Sequence, residues 1–135
     1  MAKRPGVGLL VPNLFLRVPL DSAVRGLGAE PVGMAGREAV ERGGCKVVVV
    51  DLDVLKPDPG PAIKSWVRAG IVVLGFGPHV EAALLAAARQ AGAVVLPRSA
   101  FLGRLPELLA AAMATAGVAT TPPGNEGGDG DGDGS

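Results

Sequence analysis

Four valines in a row, Val47 to Val50, are closed by Asp51, and no polar residue interrupts them. A strand with one wet face alternates in polarity; this run does not. It predicts a strand buried on both faces, as the centre of a parallel sheet requires. β-Branched side chains suit that pleated surface. Ile71-Val-Val-Leu74 and Ala93-Val-Val-Leu96 repeat the pattern, and Val7-Gly-Leu-Leu-Val11 is a shorter version near the start. Glu30-Pro-Val-Gly-Met34 is a weaker strand, because Pro and Gly are disfavoured there.

Helical spacing fills the intervals. Leu14 to Leu27 predicts a first helix stopped by Gly28. Pro19 removes a hydrogen bond, so that helix kinks or starts late with Asp21 and Ser22 as caps. Gly36 to Gly43 frames a short second helix. Leu55-Lys-Pro-Asp-Pro-Gly-Pro61 must be loop, and Pro61 suits the first turn of a third helix. There Ile63, Trp66 and Val67 share an inward face, with Trp66 a core anchor. Gly75-Phe-Gly-Pro78 is expected to turn the chain into a helix from Val80 to Gln90. Leu102, Leu105, Leu109 and Ala112 mark a last helix ending near Gly117. Five alternations of strand and helix make a doubly wound five-stranded parallel sheet in a three-layer sandwich, strand order 2-1-3-4-5. Residues 1–117 form this domain. Residues 118–135, ending in Asp-Gly repeats, are expected to be a disordered acidic tail.

Composition narrows the function. The 135 residues suit one domain with one real core. Thirteen basic and thirteen acidic side chains cancel, which leaves no footprint for nucleic acid or an anionic membrane. Aromatics are too scarce for base stacking. A lone Cys45 before the valine strand excludes an internal disulfide and a Cys-based zinc site, and reads as a reduced core thiol. The apolar run Val7–Val11 is too short for a signal-peptide core or a membrane span, so a cytoplasmic location is expected.

The chemistry gathers at Asp51. In open α/β sheets, sites form beyond the carboxyl ends of the strands, and Asp51 stands there. It can also serve structurally, accepting backbone N–H bonds at the turn, with burial raising its pKa.

These features resemble a response-regulator receiver domain, from about Val7 to Ala116. The resemblance rests on Val50-Asp51-Leu52-Asp53 followed by the proline loop Pro57-Asp-Pro-Gly60. It rests equally on Ala91-Gly92-Ala93 ahead of the last strand, with Phe101 after it. It implies that Asp51 is the phosphoacceptor position, served by a magnesium ion that bridges to the phosphoryl oxygens. Two acidic residues after the first strand would help hold that metal; here the place reads Pro12-Asn13. The carbonyl of Asp53 would add a ligand, which leaves Asp51 and Asp53 as the only, weak, metal candidates. The switch Ser or Thr falls on Gly75 or Gly77, and the lysine falls on Ser99, with Arg98 beside it. Three of the four functional positions are changed. The expectation is a degenerate, or pseudo-, receiver: a stand-alone signalling module, not an enzyme, that acts through protein contacts. The resemblance also implies a contact face on helix 4, strand 5 and helix 5, including Arg98, Ser99 and Phe101, through which a homodimer can form.

Other readings stay open. Asp51 can be a working phosphoacceptor with magnesium as cofactor. Asp51-Leu-Asp53 also resembles the Asp-x-Asp motif of haloacid-dehalogenase-type phosphohydrolases, although the downstream Lys and acidic ligands of that family have no counterpart. Finally, Gly75-Phe-Gly77 ahead of a helix can approach an anion in a small-molecule binder, with His79 at the helix start as an exposed residue or local cap.

Overall fold

The computed structural model describes residues 4–120, so most of the expected acidic tail, residues 121–135, lies outside the described residues. Strands β1 (Gly6–Leu10), β2 (Glu30–Gly33), β3 (Val47–Asp51), β4 (Val72–Gly77) and β5 (Val94–Pro97) form one sheet. Its order is β2-β1-β3-β4-β5, and every neighbouring pair is parallel. The helices are α1 (Leu14–Gly26), α2 (Glu38–Arg42), α3 (Gly60–Arg68), α4 (Ala82–Gln90), α5 (Arg98–Gly103) and α6 (Leu105–Thr115). This is the doubly wound architecture that the alternating pattern predicts.

The valine run is central and buried throughout. Successive side chains of a strand leave opposite faces. Val47 and Val49 accordingly join one core cluster, with Leu20 and Val24 of α1 and Leu105 and Leu109 of α6. Val48 and Val50 join the other, with Val40 of α2, Ile63 and Trp66 of α3, and Leu84 and Leu85 of α4. Cys45 is a buried free thiol in that second cluster, and burial pushes its pKa up.

α1 starts at Leu14, as its spacing predicts, and not at the alternative late start, because Asn13 caps it by accepting the Phe15 N–H at 2.9 Å. Pro19 sits inside that helix on an exposed position, and Asp21 pairs with Arg17 at 3.3 Å instead of capping. Gly75-Phe-Gly77 is strand, not turn: β4 continues through it, and Phe76 is fully buried. The last helical stretch is two helices, with Pro106 in the first turn of α6. Val67 is also more exposed than its spacing predicts. At the far end, Val118 donates its N–H to Met113 at 2.8 Å and packs against the core, so the domain reaches one residue past its expected boundary.

Candidate functional site around Asp51

Asp51 is the last residue of β3, paired in register with Phe76 of β4. It continues the parity of Val47 and Val49, so it leaves the sheet on the side of α1 and α6. Only 7% of it is exposed, and it is the one buried charged residue among those described. Its Oδ1 accepts the Asp53 N–H at 3.1 Å and caps the 3-10 turn Leu52–Leu55. Burial pushes its pKa above the usual carboxylate range. The Asp53 N–H opposes that shift, the charge of Asp53 adds to it, and the positive charges of Arg98 and Lys56 pull the other way.

Two surroundings differ from a metal-holding pocket. Pro12 and Asn13 are exposed, and the Asn13 side-chain oxygen is engaged as the α1 cap. The Asp53 carboxylate turns to the rim, 3.2 Å from Lys56 Nζ, and Lys56 reaches Glu81 at 2.8 Å. The Asp53 carbonyl accepts the Lys56 N–H at 3.4 Å. Among the described residues no three His, Cys, Asp or Glu side chains come together to hold a metal ion. Magnesium favours carboxylate oxygens in near-ideal octahedral geometry. One buried carboxylate, a capping amide and an acid paired with lysine do not supply that donor set.

The switch positions are filled from the side. A Cβ placed on Gly75 would stand 3.1 Å from Leu52 Cδ2, and one on Gly77 would stand 3.3 Å from Leu85 Cδ2. Leu52 is fully buried, so a side chain at position 75 would have to push it aside by a few tenths of an ångström. Ser99 and Ala100 are exposed in α5. Arg98, the first residue of that helix, is half-buried, and its guanidinium carbon lies 6.0 Å from the centre of the Phe76 ring. Phe76 in turn packs on Phe101, with ring centres 5.1 Å apart. Phe101 is fully buried, which removes it from the contact face expected on helix 4, strand 5 and helix 5.

Sequence reasoning therefore missed three participants. Phe76 was hidden in an apparent glycine turn, although an aromatic residue between two strand-compatible glycines was the available signal. Leu52 and Lys56 stand in the Asp-Leu-Asp motif and the proline loop after Asp51, where the sequence attaches no role to either side chain. His79 is exposed, as expected. No helix among the described residues is long and apolar enough to cross a membrane.

No family model matches the sequence, and no curated protein matches it either. Solved structures do match in shape. A signal receiver domain from Vibrio parahaemolyticus aligns at a TM-score of 0.68 and 20% identity, covering 85% of this chain and 94% of that one. A response regulator from Thermotoga maritima aligns at 0.65 and 18% identity, covering 83% and 99%. A response regulator receiver protein from Pseudoalteromonas atlantica aligns at 0.68 and 13% identity, again covering 83% and 99%. Strand order, helix placement and these alignments agree: the chain has the fold of response-regulator receiver domains.

Proposed function

We propose that this protein is a receiver-like signalling module that acts through protein contacts and is not phosphorylated on Asp51 in the usual metal-dependent way. The observation that carries this reading is the poverty of the Asp51 pocket. A single buried carboxylate caps its own turn, and among the described residues no acidic neighbours gather with it to share a cation. A second support is the packing of Leu52 against Gly75 and of Leu85 against Gly77, where an added side chain would have to displace a buried leucine. Fold alone carries no activity, so the reading stands on these residues.

α1 offers an exposed apolar stretch for such contacts. Leu14, Phe15 and Val18 in the first turns of α1 are 75%, 89% and 70% exposed. Large apolar side chains gathered on one exposed helix stretch mark interaction sites more often than scattered ones do. The homodimer expected on the helix 4–strand 5–helix 5 side remains part of the proposal, with Arg98 and Ser99 as its polar members.

The decisive experiment is incubation with a small-molecule phosphodonor, with and without magnesium, followed by intact mass. The expected result is no added phosphate. A stable adduct that Asp51→Asn abolishes overturns the reading. The second reading, a working phosphoacceptor, draws on one observation: the charge of Arg98 already acts on Asp51. On that reading the adduct forms, and Arg98→Met reduces it.

A further inference from the structure

Arg17 and Arg98 are the half-buried arginines among the described residues, and Arg17 is paired with Asp21. Arg98 forms no ion pair among the described residues. Its Nε is shut away from water with no hydrogen-bond partner among the described residues, so what Arg98 offers the cleft beside it is the charge of the guanidinium and its other nitrogens. Beside Arg98 a cleft of about 330 Å³ opens between the end of β4 and the start of α5. Pro78, Pro97 and Leu102 give it apolar walls; His79, Arg98 and Ser99 give it donors. No acidic residue lines it, and Asp51 is not part of its wall.

We propose that this cleft binds a small oxyanion, a phosphate or carboxylate carried on an apolar group, with Arg98 as the anchoring charge. Arg98 is held ready by the Phe76 ring, so little side-chain freedom is lost on binding. A planar guanidinium suits the paired oxygens of such a group. The Ser99 hydroxyl and the His79 ring add donors from the two sides of the cleft. The apolar walls take the body of the ligand and separate this site from a bare ion-exchange patch. Asp51 lies within the field of the same arginine, without an ion pair between the two, and its carboxylate opposes a second negative charge there.

The test is amide NMR titration of the full chain at low ionic strength, with orthophosphate, phenyl phosphate and benzoate as probes and chloride as the ionic-strength control. Saturable shifts at Ser99, Leu102 and His79 are expected, with phenyl phosphate tighter than orthophosphate by about tenfold. Benzoate separates the two headgroups: binding tighter than phenyl phosphate names a carboxylate ligand, and the reverse names a phosphate one. Arg98→Met should weaken binding by about tenfold or more, and Ser99→Ala by about two- to threefold. Asp51→Asn should tighten it, because the opposing carboxylate is gone. That sign keeps the proposal apart from the phosphodonor experiment, in which Asp51→Asn can only abolish a covalent adduct. If Arg98→Met fails to fold, Ser99→Ala and Asp51→Asn carry the test. Shifts that chloride reproduces, or that survive Arg98→Met, overturn the proposal, as does an Asp51→Asn protein that binds no tighter.

Discussion

At the residue scale, Asp51 trades stability for a charge held in a poor place. Its folded pKa is raised above the usual value, mainly by burial. The folded chain therefore holds a proton more tightly at this group than the unfolded chain does. The associated stability is fully present below the unfolded pKa and is lost as pH rises through the folded pKa. Asp51→Asn removes that titration while keeping an oxygen for the Asp53 N–H. The variant should be more stable than the parent at pH 7, and the gap should close toward acid pH. Urea denaturation at several pH values checks this; a gap independent of pH would mean the carboxylate is not the cause. Leu52 and Gly75 form the second residue-scale test. Gly75→Ala pushes a methyl group toward Leu52 and should cost about 1–3 kcal/mol. Leu52→Ala alone opens a cavity, at about 2–5 kcal/mol. In the double variant the added methyl meets empty space, so the two costs should fall short of additive by more than about 0.5 kcal/mol. Additive costs in denaturant titrations would show that Leu52 does not block position 75.

At the scale of elements, legibility followed the strength of the local signal. The valine strand was plain because no alternation competed with its continuous apolar run, and the same held for the start of β4. The end of β4 was not plain. Glycines at positions 75 and 77 read as a turn when only the chain itself is considered. They are strand because the neighbouring strands pair with them, Gly75 with Val50 and Val95 and Gly77 with Pro97, and Leu52 and Leu85 pack beside them. The unpartnered state of Arg98 was equally hidden, since it depends on where Phe76 ends up. α1 shows the opposite imbalance: the local proline signal was strong, and tertiary packing overrode it. Leu20 and Val24 beyond Pro19 are fully buried against the sheet, and the Asn13 cap fixes the start. The missing N–H leaves the Phe15 carbonyl without its helical partner, on a stretch that faces water. An interior proline costs roughly 3 kcal/mol against alanine, offset by about 0.4–1 kcal/mol from the stiffer unfolded chain. Water at the freed carbonyl lowers the difference further. Pro19→Ala should thus stabilise the protein by about 1–2 kcal/mol, seen as a rise of several degrees in Tm. An unchanged or lower Tm would show that the proline is accommodated without cost.

At the scale of the whole molecule, the two open edges of the sheet decide how it can meet a partner. β2 and β5 each carry one unpaired side, and unpaired strand edges invite pairing with another chain. On β2, Glu30 and Met34 donate their N–H groups toward β1. Pro31 has the opposite parity, so its missing N–H falls on the outer side, where proline is tolerated and blunts the edge. β5 is blunted twice. The Arg89 guanidinium closes over the Val95 carbonyl, with Nε at 3.2 Å and Nη2 at 3.1 Å, and Pro97 ends the strand without a donor. Ala93, one step before the strand, spends its N–H on Ala88 at 3.2 Å. Association on the β5 side must therefore proceed through side chains rather than by adding a strand, even though Val94 is 48% exposed there. Arg89 is the removable part of this guard. Arg89→Ala frees the Val95 carbonyl and should cost about 0.5–1.5 kcal/mol of stability. It should also raise concentration-dependent self-association in sedimentation velocity at neutral pH. Arg89→Lys keeps a charge but loses the fork that grips one oxygen from two nitrogens, so it should fall between the parent and the alanine variant. If Arg89→Ala stays as monodisperse as the parent at every concentration, the short strand and its terminal proline protect the edge unaided, and the arginine is there for the stability of α4 against β5.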